Sequence, residues 1–211
     1  MSTQQVAPGP GATTAEPKEK DILTAYDDFR PQKQEQRLPG LDSNLSPLAY
    51  HTQIEKWDNE GRPYLVEYKG CGKLESKSAI VTGGDSGIGR AVALAFAREG
   101  ADVTITYLAE ELADAQNVQR LAADHQQGKK EIHIVQADLR KRDECQKVID
   151  EHVKKFGRID VLVNNASKQI PCHKLEEIDL DVVEDTFQVS VQAQGRTPVA
   201  DLESVRQTSS A

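Results

Sequence analysis

Apolar and polar positions take up a regular period only from Lys77 onward. Ala79-Ile80-Val81 is a short apolar run of the length a buried strand needs. Arg90 to Glu99 follows as an Ala-rich helical stretch carrying Val92, Leu94 and Phe96, and Gly100 stops it. Ala101 to Tyr107 sets Val103, Ile105 and Tyr107 against Thr104 and Thr106, which predicts a second strand. Glu110 to His125 places Leu112, Ala115, Val118, Leu121 and Ala122 at helical spacing. Glu131 to Leu139 is a third strand with Ile132, Ile134 and Val135. Arg142 to Phe156 repeats a helical face through Cys145, Val148, Ile149, Val153 and Phe156, ended by Gly157. Asp160 to Asn164, through Val161-Leu162-Val163, is a fourth and fully buried strand, and Leu180 to Phe187 begins another helix. Strands and helices alternating at this spacing imply right-handed crossovers and a parallel sheet. The expected class is α/β, doubly wound, with the four strands in spatial order 3-2-1-4 and a cleft where the first and fourth part.

The flanks read differently. Residues 1–37 are rich in Gln, Pro, Thr, Lys and Glu without apolar period, so they bury too little to offset their ordering entropy and are expected to be disordered. From 38 to 76 the chain carries Leu41, Leu45, Leu48, Tyr50, Ile54, Trp57, Tyr64, Leu65 and Tyr68, too many large apolar groups for free solvent. Pro39, Pro47 and Pro63 forbid a long helix there. This segment is expected to be an extended arm packed on the domain at 77–190 or on a neighbouring subunit. Residues 191–211 form an atypical tail.

The candidate chemistry lies at the first strand–helix junction, Thr82-Gly83-Gly84-Asp85-Ser86-Gly87-Ile88-Gly89. Glycines placed between a strand and a helix suit a nucleotide phosphate loop: Gly83 for the tight turn, Gly87 for backbone approach to a pyrophosphate, Gly89 for close helix packing. The helix start adds unpaired N–H groups and a positive dipole end. Two other readings of these letters fail. Gly84-Asp85-Ser86-Gly87 matches the surroundings of a chymotrypsin-like nucleophile, but that fold is all-β. A nucleophile elbow would need Gly where Ile88 stands, and a Walker loop needs a Lys that is absent. A glycine-rich turn without a ligand is the bland alternative.

The Thr-Gly-x-x-x-Gly-x-Gly pattern, followed by Asn164-Asn165-Ala166, resembles the short-chain dehydrogenase/reductase family. The wording from Gly83 to Arg90 and the long N-terminal lead are similar to its glucose/ribitol dehydrogenase-like branch. The resemblance runs from about Leu38 to Val189. It implies a partial Rossmann domain that holds NAD or NADP through Gly83, Asp85, Ser86, Gly87, Ile88 and Gly89. Tyr107, with Leu108 after it, ends the second strand where a dinucleotide fold reads its ribose. Neither an acid nor an Arg stands at that place, so the choice between NAD and NADP stays open. Asp138 and Leu139 end the third strand, which in the family edges the adenine pocket; a place ahead of the next helix explains Asp138 equally well. Asn164, Asn165 and Ala166 are implied to hold the central strands and line the cofactor ribose, with Ser167 in place of the family's usual Gly.

Composition narrows the partners. A net charge of −8 and the lack of a Lys/Arg cluster argue against nucleic acid. Cys71, Cys145 and Cys172 share no metal spacing with the five His residues, so no metal is expected and free thiols in a reducing cytoplasm are. No apolar run approaches 18 residues and no basic-then-apolar leader opens the chain, which excludes a helical membrane span.

The resemblance also marks what is missing. The family moves its proton with a Tyr aided by a Lys four residues later, and no Tyr-x-x-x-Lys occurs in this sequence. The position of the family's supporting Asn falls on Ser190. Acid–base help is worth about 10² to 10⁴ in rate, so no catalytic residue is assigned and the chain is expected to be inactive by itself. Three functions follow: an oxidoreductase of alcohol/carbonyl substrates, sugar or polyol among them; a non-catalytic nucleotide- or partner-binding module; or a structural chain pairing through the open edge of the fourth strand. That apolar edge predicts homo-oligomers or aggregates. The abrupt loss of apolar period past Ser190, where only Val199, Leu202 and Val205 suggest a helical turn, is expected to be a break in reading frame or splicing.

Overall fold

The computed structural model describes residues 23–26, 33, 34, 44–124, 130–168, 170–172 and 174–192. Most of the two expected tails, together with Leu41, His125, His173, Val199, Leu202 and Val205, lies outside the described residues.

The domain is a four-stranded parallel sheet with helices on both faces. Its strands are β3 (Ser78–Val81), β4 (Asp102–Tyr107), β5 (His133–Gln136) and β6 (Val161–Val163), in the order β5-β4-β3-β6. This is the expected 3-2-1-4 arrangement, with β3 paired to β4 from Ser78↔Asp102 to Val81↔Ile105 and to β6 from Ala79↔Val161 to Val81↔Val163. The crossovers are α1 (Gly87–Arg98), α2 (Leu112–Asp124) and α3 (Arg142–Phe156); α4 (Leu180–Phe187) follows β6 and runs into a π-turn at Gln188–Gln192. Among the described residues no helix is long and apolar enough to cross a membrane.

Strand alternation sorts the core into two layers. Val81, Val103, Ile105 and Tyr107 face α1 and α2, meeting Leu94, Ala97, Ala115, Val118 and Ala122. Ile80 and Val135 face α3 and meet Val148 and Ile149. Burying each of the Val, Leu and Ile side chains among them stabilises the fold by about 1.5 to 3 kcal/mol. Thr104 and Thr106, the polar half of the β4 alternation, are buried as well. Thr104 Oγ1 meets His152 Nδ1 of α3 at 2.6 Å, and Ser78 Oγ meets His152 Nε2 at 2.6 Å. Thr104 thus faces a helix rather than water.

Several boundaries differ from the sequence reading. The first helix is bounded by Gly87 and Arg98, so it starts three residues earlier than read and takes Gly89 into its first turn. The stretch from Glu110 opens with a 3₁₀ turn, Ala109–Glu111, because the Glu111 carboxylate turns back to accept from Leu108 N at 2.9 Å. Leu112 is consequently 42% exposed instead of packed. The third and fourth strands are shorter than read, at four and three residues.

Within 38–76 the chain forms an antiparallel hairpin, β1 (Gln53–Trp57) with β2 (Pro63–Glu67). Asp58 shapes its turn by accepting from Glu60 N and Arg62 N at 3.0 and 2.8 Å. An isolated hairpin is marginal in water, and this one is tied down by the C-terminal end of α1. The Arg98 guanidinium, almost wholly buried, donates to Thr52 O, Tyr68 O and Glu67 Oε2 at 3.3, 2.8 and 2.9 Å. Glu99 accepts from Tyr68 Oη and from the N–H groups of Cys71 and Lys73, which hold its carboxyl down to about 2. Arg98→Ala should release this clamp at a cost of about 2 kcal/mol. Amide exchange across residues 53–67 should then rise while β3 and β4 keep their protection; equal protection of the hairpin in variant and parent would refute the clamp.

Candidate functional site: the glycine loop after β3

The loop 82–86 is fixed from three sides. Thr82 Oγ1 donates to Val163 O at 3.3 Å and accepts from Asn165 N and Ala166 N at 2.9 and 3.0 Å. Gly83 N donates to Thr106 Oγ1 and Gly84 N to Thr106 O, at 3.0 and 3.1 Å. Asn165 Nδ2 donates to the carbonyls of both Thr82 and Gly83, at 3.0 and 2.9 Å. Thr82, Thr106 and Asn165 thereby stitch the C-terminal ends of β3, β4 and β6 into one rim.

The glycines divide by what surrounds them. A Cβ at Gly89 would lie 2.0 Å from Gly83 O and 2.5 Å from Asn165 Nδ2, and one at Gly84 would lie 2.5 Å from Ile105 Cγ2. Both are required by packing inside the protein. At Gly87 a Cβ would meet nothing within 4 Å, yet φ is +52°, a conformation side chains resist. Gly87 therefore opens the backbone to the outside. Next to it, the N–H groups of Ile88 and Gly89 meet no acceptor among the described residues, while Arg90 N, one residue on, donates to Ser86 O at 3.0 Å. Ser86, at the N-cap, makes no side-chain cap, and Ile88 is 77% exposed. Glycine backbone, orphan donors and the positive end of a 12-residue helix coincide at one open place.

Charge around the loop is mostly negative. Asp85 is buried, and burial, with Glu111 adding to it, pushes its carboxyl up to about 6. Arg90 spends Nε and Nη2 on Asp85 O at 2.8 and 2.6 Å, and its Nη2 also reaches Asp114 of α2 at 3.3 Å.

The other expected residues fall into two groups. Asn165 and Ala166 touch the loop itself: the Cβ a residue at Gly83 would carry lies 3.1 Å from Ala166 Cα. Leu139, Asn164 and Ala166 line one small cavity of about 20 Å³, with Thr82 and Val189 among its other walls. Tyr107 ends β4, buried, its carbonyl accepting from Ala137 N at 3.0 Å. Asp138 is engaged by its neighbour: Arg140 donates from N, Nε and Nη2 at 3.1, 2.9 and 2.7 Å and holds the carboxyl below its usual range. Among the described residues no group of His, Cys, Asp or Glu is placed to hold a metal.

Sequence reasoning passed over Gly84, Thr82, Thr106 and Glu111. Thr106 carried a signal, a hydroxyl one residue from the end of a buried strand, but its use depends on β3 lying beside β4.

Comparison with known proteins places these features. The family described as short chain dehydrogenase matches residues 77–203, continuing past Val189 where the resemblance reads as ending. An uncharacterized oxidoreductase of Bacillus subtilis, YhdF, is 37% identical over 163 residues, covering 76% of this chain and 50% of its own. The glucose and ribitol dehydrogenase of Daucus carota is 40% identical over 167 residues, 78% of this chain and 53% of its own. Among solved structures, a short chain dehydrogenase from Burkholderia cenocepacia in complex with NADP matches at TM-score 0.54 and 34% identity, over 59% of this chain and 49% of that one. A 3-ketoacyl-(acyl-carrier-protein) reductase from Brucella melitensis complexed with NADH matches at TM-score 0.55 and 27% identity, over 62% and 50%. The chain spans about half the length of the curated relatives it matches.

Proposed function

The chain belongs to the short-chain dehydrogenase family, and from that premise we propose that it binds NAD or NADP for an alcohol–carbonyl oxidoreduction. The observation that carries the proposal is the coincidence of Gly87, open at φ +52°, with the orphan N–H groups of Ile88 and Gly89 at the start of α1. These donors suit a pyrophosphate. Gly83, Asp85 and Ser86 complete the loop; Tyr107, Asp138, Leu139, Asn164, Asn165 and Ala166 would flank the adenosine half. The bound dinucleotide would supply the hydride acceptor or donor. The name of the carrot relative favours a sugar or polyol as substrate. The three free cysteines fit a cytoplasmic protein, and the β6 edge, with Leu180 and Phe187 exposed on α4, fits a homo-oligomer.

A second reading, a nucleotide-binding module without turnover, is favoured by a loop whose features serve binding alone: the open backbone at Gly87 and the donors of Ile88 and Gly89. Calorimetric titration with NAD(H) and NADP(H), followed by assay with glucose, ribitol and simple carbonyls, separates the two. Binding with turnover supports the oxidoreductase, and binding without turnover supports the module. Heat unchanged by Gly87→Val would show that this loop is not the site.

A further inference from the structure

α4 sits on the domain without a fully buried side chain: Leu180 and Phe187 are 77% and 57% exposed. Apolar packing therefore does little to fix it, and charge takes that part. Asp185, in its second turn, accepts through Oδ2 from Lys168 Nζ and from Arg140 Nη1, the latter at 3.1 Å. The two cations arrive from different loops. Arg140 comes from the turn after β5, where it also forks onto Asp138. Lys168 comes from the loop after β6, two residues past Ala166. Lys168, with Arg140 beside it, holds the Asp185 carboxyl below the usual range. On the apolar side, Val189 beyond α4 shares a cavity with Leu139, Asn164 and Ala166, so the same stretch of chain meets both loops twice.

We infer that Asp185 is a positioning residue for the dinucleotide site: by binding Arg140 and Lys168 at once, it sets the spacing of the loops after β5 and β6. The inference rests on the dinucleotide reading above, in which these two loops flank the adenosine half. Each ion pair is about one-third exposed and would be weak alone. Sharing one carboxylate makes them a unit in which removing either cation frees one loop. Asp185→Asn leaves the Arg140–Asp138 fork in place, so it isolates the link between loops from the order within each.

The test uses the full chain with Asp185→Asn, Lys168→Met and the double variant. Calorimetry with NADH and NADPH is run at about 50 mM and about 500 mM salt, where screening differs severalfold in range. At low salt each single variant should bind about fivefold more weakly, and the double variant no more weakly than either. At high salt the parent should approach the variants. Amide exchange of the free protein should quicken together in residues 138–142 and 164–168. Affinities equal to the parent's, or losses that multiply in the double variant, overturn the inference. Should the parent itself bind no dinucleotide, the dinucleotide reading fails, and exchange alone then decides the link: joint loss of protection upholds it, unchanged protection overturns it.

Discussion

Gly89→Ala is expected to destabilise the fold by about 3 kcal/mol, lowering Tm by roughly 6 to 12 °C, whereas Gly87→Ala should cost only about 1 kcal/mol. The two glycines stand two residues apart in one loop, and the contrast comes from what faces them. A methyl at Gly89 would press to 2.0 Å on the Gly83 carbonyl and 2.5 Å on the Asn165 amide. Neither group can yield alone, because Asn165 Nδ2 is bonded to that same carbonyl and to Thr82 O. Relief requires α1 to move off the rim that joins β3 and β6. At Gly87 a methyl enters open space and meets only the penalty of a left-handed backbone. Its effect belongs to binding: Gly87→Val should keep most of the stability and lose the dinucleotide. Thermal melts and calorimetry on the same samples check both halves. A Gly89→Ala melt within about 2 °C of the parent would mean the helix rides more loosely on β3 than its contacts allow.

The sheet order and the loop were legible because they are carried by local signals. Apolar runs of strand length, helical periods and glycine stops occur in sequence from Ala79 to Gly157, and right-handed crossovers leave few ways to arrange them. The hairpin at 53–67 was not legible. Ile54, Trp57 and Tyr64 are 39%, 51% and 44% exposed, so its alternation does not separate an inner from an outer face. What holds it, Arg98 and Glu99, lies 26 to 46 residues from its partners. The site was half legible for the same reason. Gly87 and Gly89 declare themselves by spacing, but Thr106, Glu111 and Asp185 act only across neighbouring strands and helices. Glu111 shows the limit best: no acid stands at Tyr107 or Leu108, yet the 3₁₀ turn brings a carboxylate close enough to raise Asp85.

Two buried titratable groups should oppose each other as the solution is acidified, and removing either should expose the other. His152 bridges Ser78 and Thr104 with no exposed surface. Arg158 O, an acceptor only, lies 3.1 Å from Nε2, so that nitrogen carries the proton and Thr104 donates to Nδ1. A second proton would turn the Thr104 bond round, the hydroxyl then accepting from Nδ1, but the charge would sit where no water reaches it, and burial pushes the imidazole down to about 4. The folded state thus refuses a proton that the unfolded chain accepts below about 6.5, and stability falls as pH drops from there to about 4, by about 3 kcal/mol in all. Asp85 acts with the other sign. Burial raises its carboxyl to about 6, so the folded state takes up a proton first. Its contribution is full below about 4 and is lost as pH rises to about 6, again by about 3 kcal/mol. In the parent the two slopes nearly cancel between pH 4 and 6. His152→Gln should leave stability declining with rising pH across that window, and Asp85→Asn should leave it climbing. Urea unfolding at half-unit steps of pH reads both slopes. A parent curve that stayed flat in either variant would mean that His152 or Asp85 titrates in the fold as it does in the open chain.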